Sequence, residues 1–169
     1  RIAAGEVLDT RSHRGIVSYD PTELVITARC GTPLSELMNV LDNAQQMLPC
    51  EAPSFSKDAT VGGMIACGLS GPRRPWSGSV RDFVLGTRVI TGHGKHLRFG
   101  GEVMKNVAGY DLSRLMAGSF GALGVITEVS LKVLPKPRQC LSISLEMDSE
   151  RALLRLAEWG QQPLPISAA

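Results

Sequence analysis

The chain has 169 residues, 43% of them hydrophobic and 20% charged, with a formal net charge of +2 at neutral pH. This is the composition of an ordinary soluble globular protein with one core. So small a charge, without a basic tail, points to neither nucleic acid nor an anionic membrane surface. No apolar run approaches the roughly 18 residues that cross a bilayer, and no signal-peptide segment opens the chain, so a soluble cytoplasmic protein is expected.

Cys30, Cys50, Cys67 and Cys140 lie far apart without CxxC or Cys/His spacing. That argues against a zinc or iron–sulfur site within the chain and for reduced thiols. Arg1, where Met would open a complete chain, leads into what reads as the end of a loop, and a fragment is expected.

The β-branched runs at 15–19 and 23–29 predict two strands separated by the turn Asp20-Pro21-Thr22. Cys30-Gly31 closes the second. Thr32 then reads as a helix N-cap with Pro33 at the first helical position, and Leu34, Leu37, Met38, Leu41, Ala44 and Met47 predict an amphipathic helix over 33–47. Leu48-Pro49-Cys50 ends it.

Further along, residues 84–91 read as a strand joined to a second at 96–99 through Gly92-His93-Gly94-Lys95. That tetrapeptide lacks the spacing of a phosphate loop and sits where a hairpin needs a turn. Asp111 caps a short helix carrying Leu112, Leu115 and Met116, which Gly118, Gly121 and Gly124 end. Alternation predicts one long strand over 125–134, stopped by Pro135-Lys136-Pro137. A strand at 140–145 and a helix at 149–159, capped by Ser149, follow.

The densest chemistry lies between Ala59 and Asp82. Thr60 as N-cap puts Gly62 and Gly63 in a first helical turn, where amides lack intrahelical partners and the helix dipole favours an anion such as pyrophosphate. The same two glycines equally suit close helix–strand packing. Ser70-Gly71-Pro72-Arg73-Arg74 and Gly78-Ser79-Val80-Arg81-Asp82 add glycine turns and three guanidinium groups, able to clamp a phosphate or carboxylate or simply to form a solvated basic loop. Asp82 reads as a brace for Arg81 or the loop backbone. No GxGxxG follows a strand, and His13, His93 and His96 share no metal-ligand spacing. No catalytic base and no metal site stand out.

Four ordered motifs carry a family resemblance: Ala59-Thr60-Val61-Gly62-Gly63; Gly78-Ser79-Val80-Arg81-Asp82 with Val84-Leu85-Gly86; the stretch 101–112 with Lys105-Asn106-Val107-Ala108-Gly109-Tyr110-Asp111; and the run from Gly118 to Glu128. They resemble the PCMH-type FAD-binding domain of the vanillyl-alcohol oxidase and D-lactate dehydrogenase superfamily over about residues 15–137. Within it the wording of the 70–74 loop and of 105–111 is most similar to the E subunits of bacterial glycolate oxidase, the smaller FAD-binding subunits.

The resemblance implies an α+β fold of two α/β subdomains, truncated at its N-terminus: a remnant of the first in 1–50, the second in 51–136, and the start of a cap domain in 137–169. It implies FAD as cofactor, with contacts at Pro53, Ala59, Thr60, Val61, Gly62 and Gly63 near the pyrophosphate and ribityl chain. Ser70, Gly71, Gly78, Ser79, Val80 and Arg81 would lie along the cofactor path, and Gly124, Val125, Ile126 and Thr127 on the adenine side. The 106–110 turn supports the pocket.

The implied activity is oxidation of a 2-hydroxy acid, glycolate to glyoxylate, with electrons passed through flavin to an iron–sulfur subunit. A second flavin subunit completes the complex, which is cytoplasmic or peripheral to the inner membrane through its partners. Two alternatives are a non-catalytic docking subunit of the same complex and a stand-alone FAD-dependent hydroxy-acid dehydrogenase. The family's glycine-rich loop upstream of 15–19 has no counterpart in Arg1–Asp9, so this span alone is expected to bind FAD weakly or not at all and to be inactive.

Overall fold

The structure is a computed structural model that describes residues 5–102 and 109–169. The first hairpin is β1 (Ile16–Asp20) and β2 (Val25–Arg29), antiparallel, with Tyr19 opposite Ile26. Its turn is held by the Asp20 carboxylate, which accepts from the Thr22 and Glu23 amides at 2.9 and 3.0 Å.

The following helix, α1 (Leu34–Asn43), is shorter than its apolar spacing predicts. Gln45 adopts φ 56°, and Gln46–Met47 leave the helix as the two-residue strand β3. Leu34, Leu37 and Leu41 are buried as expected, but Met38 is 58% exposed. Pro33, not Thr32, occupies the N-cap position. Thr32 is instead fully buried, its hydroxyl bonded to both the amide and the carbonyl of Gly15 at 2.9 and 3.2 Å.

Next come α2 (Val61–Cys67), α3 (Arg74–Ser77), a 3-10 turn at Val80–Phe83, and the hairpin of β4 (Val84–Ile90) and β5 (His96–Gly100). Gly94, at φ 70°, makes the hairpin turn. The helix α4 (Leu112–Leu115) is capped by Asp111 Oδ1, which accepts from the Arg114 amide at 3.0 Å, as its sequence predicts. The long predicted strand is β6 (Val125–Lys132), after which β7 (Leu134–Pro135) pairs with β3. The 106–108 part of the predicted supporting turn lies outside the described residues.

Five strands form one antiparallel sheet in the order β1-β2-β6-β4-β5, with β6 at the centre. The sheet runs across the division drawn at residue 50, because β1 and β2 join the same ladder as β4 to β6. On one face Ile26, Ala28, Val89 and Val129 share a buried cluster with Leu37 and Leu41 of α1 and Val61 and Ile65 of α2. Each fully buried aliphatic side chain of this kind contributes about 1.5–3 kcal/mol. The opposite face is polar: Thr27 and Ser130 hydroxyls meet at 2.8 Å, and Arg88 pairs with Glu128 at 3.0 Å.

Beyond β7 the expected strand at 140–145 is not formed. Its alternating Leu141, Ile143 and Leu145 stay exposed, and among the described residues no strand offers it a ladder. The last helix, α5 (Ser149–Gly160), is capped by Asp148 rather than Ser149, with Asp148 Oδ1 accepting from the Arg151 amide at 2.8 Å. Asp148, one residue before the helix and in extended backbone, is placed to reach the third helical amide.

Candidate functional site

Thr60 begins α2 as predicted: its backbone is extended (φ −109°, ψ 159°) and its Oγ1 accepts from the Gly63 amide at 3.1 Å. The loop before it is stitched to the start of α1, since Leu34 N donates to Ala59 O at 2.8 Å and Val61 N to Thr32 O at 2.9 Å. Gly62 N donates to Cys30 O at 2.8 Å, and Met64 N to Thr60 O at 3.0 Å. All four first-turn amides are therefore partnered within the protein. This corrects the expectation of bare amides waiting for a pyrophosphate: the Cys30 and Thr32 carbonyls just after β2, with the hydroxyl and carbonyl of Thr60, already fill that role.

The two glycines divide between the two readings of the sequence. A Cβ on Gly62 would stand 2.6 Å from Cys30 Cβ, so Gly62 exists for close helix–strand packing. Gly63 is exposed, and a Cβ there would meet only Thr60 Oγ1, at 3.3 Å. It presents a bare backbone surface to solvent at the helix start.

The start of β6 is joined to this point through the same cysteine. Cys30 N donates to Thr127 O at 2.8 Å, so Thr127, Cys30 and Gly62 form one backbone chain. Arg88 pairs with Glu128 and Val89 with Ile126, which leaves Thr127 as the extra residue of a β-bulge. Its Oγ1 donates to the freed Arg88 carbonyl at 3.1 Å and lies 3.0 Å from His96 Nε2. The β2 ladder ends at Arg29 opposite Glu128, so among the described residues no strand flanks 124–126 on that side. Burial pushes the Cys30 thiol up to about 12, with the Glu128 charge adding to the shift.

Ser70 and Gly71 follow the other end of α2, a helix about 10 Å long at 1.5 Å per residue. Ser70 is buried and its Oγ accepts from the Val80 amide at 3.0 Å. Gly71, at φ 75°, lies so close to Glu51 that a Cβ would fall 2.1 Å from Glu51 O. Asp82 braces the loop backbone: its Oδ2 accepts from Ser79 N at 2.8 Å and Ser79 Oγ at 2.7 Å, bonds that hold its carboxyl below the usual range. Arg74, Arg81 and Pro53 are exposed.

Two features escaped the sequence. The loop 118–120 closes the C-terminal turn of α2, with Gly118 N on Ile65 O at 3.0 Å and Phe120 N on Ala66 O at 2.9 Å. Arg73 departs from the picture of three guanidinium groups around one open loop: it is 9% exposed, beside Glu51 and Met47. Both depend on long-range contacts that no local spacing encodes, although the Gly118 and Gly121 pair does mark a loop free to approach another backbone.

Compared with known proteins, residues 2–100 match the model of an FAD binding domain. The chain belongs to the FAD-binding domain family. It is 69% identical to the glycolate oxidase subunit GlcE of Escherichia coli over 167 residues, covering 99% of this chain and 48% of that protein. It is 36% identical to the glycolate oxidase subunit GlcD of Bacillus subtilis over 79% of this chain and 28% of that protein, and 33% identical to a D-lactate dehydrogenase of Anaerostipes hadrus over 88% and 31%. The chain spans less than half the length of each of these relatives. The antiparallel sheet with its covering helices is the PCMH-type FAD-binding fold, of α+β class, and FAD is its cofactor.

The residues present fit FAD at two places and not at a third. Gly63 offers a surface free of side chain, and the unflanked backbone of 124–126 offers peptide groups suited to an adenine edge. The amides of Val61, Gly62 and Gly63 do not supply a pyrophosphate seat, being already bonded. Among the described residues no helix is long and apolar enough to cross a membrane.

Proposed function

We propose that this chain is the FAD-binding part of a glycolate oxidase E-type subunit, within a complex that oxidises glycolate to glyoxylate and passes electrons to an iron–sulfur partner. The observation that carries the reading is the backbone chain from Thr127 through Cys30 to Gly62, which brings two separate predicted FAD segments to one end of the sheet. The likeness to the Escherichia coli subunit narrows the substrate class to a 2-hydroxy acid. FAD, when bound, supplies the hydride acceptor, and the protein supplies orientation and electrostatics. In this reading Gly63 and the 124–127 backbone hold the cofactor against the sheet end, and Ser70, Gly71 and Ser79 to Arg81 line its further path.

The test is Gly63→Trp in the complete subunit assembled with its partners. The added ring projects into the proposed cofactor surface while the helix backbone is kept. The expected outcome is loss of bound flavin and of glycolate-dependent dye reduction with unchanged circular dichroism; full flavin content and activity would refute the assignment.

A second reading, a docking subunit without flavin of its own, is favoured by one observation: the occupied amides of α2. Flavin content separates the two, since a docking subunit purifies colourless and still binds its partners.

A further inference from the structure

Arg73 is nine-tenths buried, yet its guanidinium has few partners. Its Nε lies 3.5 Å from Glu51 Oε1, outside hydrogen-bonding geometry, and among the described residues that atom has no hydrogen-bond acceptor. Nη1 donates only to Met47 Sδ, at 3.7 Å, a weak acceptor. Among the described residues, the buried Nε thus faces one offset carboxylate and Nη1 one sulfur. A buried polar group left in this state calls for a missing acceptor.

The guanidinium lines an open cavity of about 910 Å³ with a mostly apolar lining, which includes Met47, Pro135 and Trp159 and the exposed Leu141, Ile143 and Leu145. One other cation on that wall, Arg155, is paired with Glu158 at 2.8 Å. An apolar cavity with one under-coordinated guanidinium is the arrangement that binds a small carboxylate, which accepts two parallel N–H bonds from the fork.

We propose that Arg73 binds the carboxylate of a small organic acid in this cavity, and so anchors the substrate of the oxidation. The inference rests on the reading that the complete subunit acts on a 2-hydroxy acid. A pyrophosphate is disfavoured at the same point: Glu51 already places one negative charge 3.5 Å away, and among the described residues the walls offer no second free cation to balance a multiply charged group. Glu51 competes with the incoming carboxylate, so the two residues make opposite contributions to binding.

The experiment uses the complete subunit in its complex, with Arg73→Gln, Arg73→Lys and Glu51→Gln, reading KM and kcat for glycolate, flavin content, and binding of oxalate by calorimetry. Arg73→Gln is expected to raise KM and weaken oxalate by about tenfold or more at constant flavin content, with Arg73→Lys between it and the parent. Glu51→Gln is expected to lower KM and tighten oxalate. A purely structural ion pair predicts that Glu51→Gln and Arg73→Gln move together, and that result overturns the proposal. Loss of flavin in Arg73→Gln also overturns it, assigning the oxyanion to the cofactor. A parent complex that oxidises no hydroxy acid refutes the functional reading instead, and oxalate binding to parent and Arg73→Gln still decides this one.

Discussion

Gly62 and Cys30 touch through their backbones: the Gly62 amide donates to the Cys30 carbonyl at 2.8 Å, and a Cβ at position 62 would stand 2.6 Å from Cys30 Cβ and 2.9 Å from Cys30 O. The end of β2 and the first turn of α2 are therefore locked at a separation only glycine permits. Because Cys30 also donates to Thr127, this contact ties the end of β2, the first turn of α2 and the start of β6 together.

Gly62→Ala is expected to destabilise the protein by about 1–3 kcal/mol, because Cys30 is buried and neither its Cβ nor its carbonyl can retreat. Gly63→Ala is expected to be close to neutral. The helix-propensity gain of about 0.5–1 kcal/mol is offset by the small shift required of Thr60 Oγ1, 3.3 Å from the new atom. Urea denaturation of the two variants checks the contrast.

Thr127→Val removes the hydroxyl that satisfies the Arg88 carbonyl at the bulge. The expected cost is about 1–3 kcal/mol for leaving that acceptor unpaired, and Thr127→Ser is expected to recover most of it. Thermal unfolding of the pair, compared at equal concentration, reads the difference.

Asp82 has a folded-state pKa below its ordinary 3.8, chiefly through the Ser79 side-chain hydrogen bond and then the Ser79 amide. Below that ordinary value the unfolded state binds more protons than the folded one, so this carboxylate stabilises fully above 3.8 and its contribution fades as pH falls through the lower folded value. Asp82→Asn is expected to be less stable than the parent at neutral pH, with the gap narrowing in acid. Denaturation curves across that range check the sign.

Burial holds the Cys30 thiol protonated, with a pKa of about 12, and raises that of Cys50 as well. Cys140 is exposed and Cys67 partly so. Alkylation of the native chain at mildly alkaline pH is expected to modify Cys140 first and to spare Cys30 and Cys50 until denaturant is added, because the thiolate is the reacting form. Mass spectrometry of the digested protein reads the order.

Much of the fold was legible in local pattern. β-branched runs gave β1, β2, β4 and β6, and Thr60 and Asp111 were read correctly as caps because capping is decided within three residues. Thr32 has a cap-like sequence context but does not cap, because its hydroxyl answers to Gly15, 17 residues away. The 140–145 alternation looked like a strand, but alternation specifies a face and not a partner. Gly62 carried two readings in the sequence, and the choice lies with Cys30, which nothing near it in the chain reveals. Arg73 likewise looked like its neighbour Arg74, since burial is a property of the packed loop.

The most direct test of the proposed cofactor surface is hydrogen–deuterium exchange of the complete subunit, freed of flavin and then reconstituted with FAD. Added protection is expected in peptides covering both 59–63 and 124–127 when FAD binds. Stoichiometric FAD binding with no change in either segment would contradict it.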